Sequence, residues 1–185
     1  TRKESSAASD VYKRQKLGLS GIPEIAERIL IERDLTLLEK AKCRYHISQL
    51  SSQKSLEVIK HRKEFVKFTS GVSINNLSLN GNDSGDFRTL LKPSPPLRRE
   101  EDREALVQGI KDGLIDVIVS DHKPEDEESK RLTFSQAATG ASGIETLLSL
   151  SLELYHNGSL KLETIIKALT SNPAKILKID KGNLT

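Results

Sequence analysis

Apolar positions recur along the chain at two different periods. Over residues 22–42, Ile22, Ile25, Ala26, Ile29 and Leu30 fall at helical spacing, and Leu35, Leu37, Leu38 and Ala41 extend the run. Pro23 suits the first helical position, and Glu24 and Glu27 suit the positive end of the helix dipole. Residues 44–48 then read as a short strand. Ser51 or Ser52 can cap the next helix, whose apolar face is Leu56, Val58 and Ile59. Residues 64–72 read as a second strand, with Phe65, Val66 and Phe68 apolar and Gly71 near its end. Residues 100–111 form a helix with Ala105, Leu106 and Ile110 inward.

The next stretch organises the rest. Asp112-Gly113 is a turn signal, and Ile115, Val117, Ile118 and Val119 give the apolar, β-branched run of a strand buried on both faces. It stops at Ser120-Asp121-His122, and Pro124 bars any extension. A buried strand that delivers Asp121 and His122 at its carboxyl end is how α/β barrels present reactive groups; the bland alternative is that Asp121 only caps a turn. After a charged stretch over 123–131, expected to be a solvated face, Ile144, Leu147, Leu148 and Leu152 predict a helix stripe that Asn157-Gly158 ends. Residues 160–169 and 172–177 predict two more helices. Strands alternating with helices imply βαβ units and a parallel sheet, hence an α/β fold. One long connection interrupts this order. Residues 73–98 are rich in Asn, Gly and Pro, and a loop of that length within a compact domain is more often functional than not.

Composition narrows the class. The chain has 185 residues, a net charge of +3, one cysteine and no methionine. Mixed-sign charge without aromatic–basic interleaving argues against nucleic acid, and no apolar run reaches the roughly 20 residues of a membrane span. Cys43, alone, excludes an internal disulfide or a cysteine-rich zinc cage and is expected to be a small buried residue. A reducing, cytoplasmic setting fits. Residues 1–16 are polar and aperiodic and look like a leader foreign to the fold, so residues 17–185 carry the domain; the missing initiator methionine suggests a piece of a longer chain.

No dinucleotide fingerprint, phosphate loop or serine elbow is present. Of four histidines, His61 sits among cations, His156 closes a helix, His46 is expected to be a satisfied strand residue, and His122 beside Asp121 has the best claim to chemistry. Hydrolytic metal sites need several ligands converging on one ion, and a carboxylate such as Asp121 can also take a proton from the attacking water.

Several motifs in fixed order resemble dihydroorotase, of the amidohydrolase superfamily. They are Pro95-Pro96-Leu97-Arg98, Glu101-Asp102-Arg103, the run from Asp112-Gly113 to Asp121-His122, Gly143-Ile144-Glu145-Thr146, and Leu169-Thr170-Ser171-Asn172-Pro173-Ala174. The resemblance implies the C-terminal part of a metal-dependent β/α (TIM-type) barrel, its three strands being the sixth to eighth. It implies an enzyme, a cyclic amidohydrolase that interconverts carbamoyl-aspartate and dihydroorotate in pyrimidine synthesis with zinc bound. On this mapping Asp121 is the catalytic and metal-binding carboxylate. The sixth-strand histidine ligand is replaced by Gln49, and the seventh-strand histidine pair by Asn75-Asn76. The substrate-binding positions hold Ser94, Glu125, Thr139 and Gly140. Gln is a poor stand-in for a zinc-binding imidazole. These departures imply a divergent branch whose C-terminal segment is inactive by itself. The alternative is a non-catalytic, structural partner of aspartate transcarbamoylase.

Overall fold

The computed structural model describes residues 22–84 and 88–183. The leader expected over residues 1–16 lies outside the described residues. Helix α1 (Glu24–Ala41) is followed by β1 (His46–Leu50), α2 (Gln53–Arg62) and β2 (Thr69–Ser73). A short α3 (Ile74–Ser78), a 3₁₀ turn (Thr89–Leu91) and α4 (Glu100–Lys111) lead to β3 (Val117–Val119). The chain ends with α5 (Glu127–Arg131), α6 (Leu147–His156), α7 (Leu162–Leu169) and α8 (Ser171–Leu177). The three strands pair in the order β1-β2-β3, both pairs parallel, as the strand–helix alternation predicts.

One sheet face carries the apolar layer. Ile47, Val72 and Ile118 join Leu56 and Ile59 of α2 and Leu106 and Ile110 of α4 in a continuous core. Burying each such side chain is worth about 1.5–3 kcal/mol. On the other face the sites of His46, Gly71 and Val117 adjoin one another: a methyl group on Gly71 would lie 2.9 Å from Val117 Cγ2 and 3.5 Å from His46 Nε2. His46 is held by Thr69, Nδ1 to Oγ1 at 2.7 Å, as a structural histidine is.

Four expectations need correction. The strand expected over 64–72 begins only at Thr69. Phe65 and Val66 instead donate their N–H groups to Arg62 O as the chain turns off α2, leaving Phe65 exposed and Val66 packed against the core without being on a strand. Cys43 is exposed, because the chain does not enter the sheet until His46. The helix expected to carry Ile144 and Leu148 inward starts at Leu147 and turns Ser151 and Leu154 to the core, so Ile144 and Leu148 face outward. The helix is preceded by a turn over 144–146, and His122 Nδ1 accepts from the N–H groups of Gly143 and Ile144 at 3.2 and 3.3 Å. Finally, the charged run over 123–131 is not wholly solvated, since Lys130 is buried.

Candidate site at the carboxyl edge of the strands

The carboxyl ends of the strands bring Gln49 and Asp121 together across 72 residues of sequence. Gln49 Nε2 donates to Asp121 Oδ1 at 2.6 Å. Two local features aim them. The β1–β2 register slips between Ile47 and Leu50, a bulge that re-aims the side chains inside it, Gln49 among them. Asp121 takes a left-handed φ of 49°, which breaks the strand sharply and which aspartate tolerates better than most residues.

Beneath Gln49 a polar knot fixes the end of β1. Ser51 donates its N–H to Glu27 Oε1 at 3.0 Å and its hydroxyl to Glu27 Oε2. Arg98 Nε donates to Ser51 Oγ at 3.0 Å, and the guanidinium lies 3.8 Å from Glu27. Sequence reasoning read Glu27 only as a dipole partner; its role as acceptor for the turn after β1 carries no sequence signal.

The positions that the resemblance assigns to substrate divide into two groups. Glu125 and Gly140 adjoin each other: a methyl group on Gly140 would meet Glu125 Cγ at 3.2 Å and collide with Lys123 O. Gly140 has a φ of 154°, so a side chain is excluded on both counts. Gly143 is as tightly placed, against the carbonyl of Ser120. Thr139 is half-buried beside Gly140. Glu125 does not stand as an isolated negative charge, since Lys123 Nζ lies 3.4 Å from it. Ser94 is exposed, before a cis bond to Pro95. Asn75 and Asn76 are buried at the head of α3 rather than open at the strand edge; Asn76 Nδ2 donates to Pro96 O at 3.2 Å. His122 is occupied in holding the 143–144 turn, which explains its place in the sequence without chemistry.

The donor set does not fit a catalytic zinc. Such a site needs about three protein ligands with an open fourth position. Among the described residues no three His, Cys, Asp or Glu side chains gather in that way. At the edge itself the neighbour of Asp121 is an amide, and it offers the carboxylate a proton rather than sharing a cation with it.

The comparisons with known proteins agree with this architecture. Dihydroorotases of Ehrlichia canis (strain Jake) and Anaplasma phagocytophilum (strain HZ) are 44% and 40% identical over 171 and 172 residues, covering 91% and 92% of this chain. The chain spans only 38% of the length of either relative. The solved L-hydantoinase (dihydropyrimidinase) of Arthrobacter aurescens superposes with a TM-score of 0.84 at 29% identity, over 88% of this chain and 38% of that one. The dihydropyrimidinase of Brevibacillus agri NCHU1002 gives 0.83 at 20% identity over 95% and 42%, a likeness of fold. The three parallel strands with their helices are therefore part of a TIM-type barrel. The Amidohydrolase family model matches residues 24–185, and with the strand order and the motifs already placed on it, the chain belongs to the amidohydrolase family.

Proposed function

We propose that residues 17–185 are the sixth-to-eighth-strand part of a dihydroorotase-like protein whose metal corner has been rebuilt. The family chemistry is ring closure of carbamoyl-aspartate to dihydroorotate, and the relatives named above support that substrate class. The observation that carries the proposal is the bond from Gln49 to Asp121. It occupies a carboxylate oxygen that a metal site would use, and it comes from a position where the resemblance expects a histidine. Asp121 would take the proton from an activated water in an intact site. Here it is tied to a neutral amide, and no step through zinc follows from these residues. In this reading the loops over 73–98 and 123–139 serve as a docking surface, with aspartate transcarbamoylase as the partner.

The test uses the complete protein, purified with zinc present. Metal content and the ring closure of carbamoyl-aspartate are measured together, and co-purification with the transcarbamoylase is followed. Absence of zinc and turnover is the expected result, with Asp121→Ala indistinguishable from the parent in both. Near-stoichiometric zinc with turnover abolished by Asp121→Ala would overturn the proposal in favour of an active amidohydrolase with a remodelled site.

A further inference from the structure

The loops after β2 and β3 are tied by two lysines in a reciprocal pattern. Lys92 Nζ, from the first loop, donates to the carbonyls of Phe134, Ser135 and Ala137 at 2.6, 3.3 and 2.6 Å. Lys130 Nζ, from the second, donates to the carbonyls of Thr89, Ala138 and Gly140 at 3.1, 2.9 and 2.6 Å. An ammonium has three protons, so both groups are saturated by main-chain oxygens. Two further contacts to main-chain oxygens join the same segments: Gly140 N–H donates to Lys92 O at 2.9 Å, and the Thr89 hydroxyl donates to Lys130 O.

This is an unusual use of lysine. Lys130 is only 8% exposed, and a buried ammonium is costly unless each proton finds an acceptor. Burial pushes its pKa below the ordinary lysine value, against the pull of the nearby Glu125 carboxylate. The converging carbonyls need the cation as much as it needs them, because without it their oxygens face one another unpaired. Apolar burial here is slight: Ala137 is the one fully buried apolar residue among 88–92 and 130–140, with Leu91, Phe134 and Ala138 half-buried. The clasp is therefore a polar tie between these loops.

We infer that Lys92 and Lys130 are positioning residues. They fix the Thr139–Gly140 segment in register with the segment leading to Ser94, so that the substrate positions of the two loops form one preformed surface. The ligand half of this inference rests on the proposed function; the clasp itself does not. The resemblance assigns substrate roles to Thr139, Gly140 and Ser94, and neither lysine lies in the motifs that carry it.

The test compares amide hydrogen exchange in the complete protein with Lys130→Ala and Lys92→Ala. Protection at Gly140 and Ala138 should fall by about 100-fold in both variants while the amides of β2 keep theirs, the mark of local rather than global opening. Ammonium chloride should restore part of the protection in Lys130→Ala by refilling the carbonyl cage, and tetramethylammonium chloride, too large to enter, should not. A lysine that merely stabilises the fold would not give this difference. If Lys130→Ala fails to fold, Lys92→Ala carries the same exchange test. Unchanged protection at Gly140, or equal effects of the two salts, overturns the clasp. Calorimetric titration with dihydroorotate tests the other half: both variants should bind about 10-fold or more weaker than the parent. No binding by the parent overturns the ligand half alone; the proposed function is decided by its own zinc and turnover test, and the exchange result decides the clasp.

Discussion

A histidine at position 49 would offer Asp121 a shared cation; the glutamine present offers it an N–H. The identity of the residue was readable from its place in the sequence pattern, but its contact with Asp121 was not. That contact depends on a bulge in β1 and a left-handed residue after β3, and neither leaves a trace in hydrophobic periodicity. His46, in the same strand, gives the residue-scale prediction. Burial lowers its pKa from the usual value of about 6.5, and the Asp116 carboxylate acts in the opposite direction. The folded state thus binds the proton less tightly than the unfolded chain. Stability is undiminished above about pH 6.5 and is lost as pH falls through the lowered folded value. Thermal melts should show a larger loss for the parent than for His46→Gln between about pH 7.5 and about pH 5.5. Parallel pH profiles for the two proteins would show that the ring carries no such cost.

Elements were most legible where caps and period agree. Helix α4 spans Glu100–Lys111, as predicted, because acidic residues fill its first turn, Lys111 its last, and Leu106 and Ile110 keep the inward stripe. What the sequence could not reveal is that Asp102 serves two helices. Its Oδ1 accepts from the first N–H of α2, at Gln53, at 2.8 Å, and its Oδ2 from Arg99 N–H at 3.3 Å. The second strand starts later than its pattern predicts because Phe65 and Val66, despite high β propensity, give their N–H groups to the turn that closes α2. Ser52 caps α2 through Ser55 N–H at 3.3 Å and is fully buried, so its loss leaves an orphan donor where water does not reach. Ser52→Ala is expected to lower stability by about 1–2 kcal/mol, read from chemical denaturation. A change within about 0.5 kcal/mol would show that the Ser52 hydroxyl, with its bonds to Ser55 N–H and Glu27, does not hold the start of α2.

At the scale of the whole molecule, the sheet of the described residues has two open edges, because β1 and β3 each pair only with β2. Two apolar surfaces are also uncovered. Ile25 and Ile29 on α1, with Ile22 just before it, form a stripe at 48%, 56% and 56% exposure, on a helix whose other face buries Ile31, Leu35 and Leu38. Ile166, Leu177 and Ile179 are similarly open at the far end of the chain. The first of these was visible in the sequence as an α1 with too many apolar positions for one stripe, although periodicity alone could not tell which face would be covered. Unpaired strand edges beside exposed apolar helices are templates for association. The 185-residue chain expressed by itself should therefore self-associate and melt broadly, as followed by sedimentation velocity and calorimetry. Replacing Ile25 and Ile29 together by Lys and Glu should shift the distribution toward monomer without loss of helix content, because neither side chain belongs to the buried core. A parent chain that sediments as a monomer and unfolds in one sharp transition would show that the three-stranded sheet is self-sufficient, and that these faces need no cover.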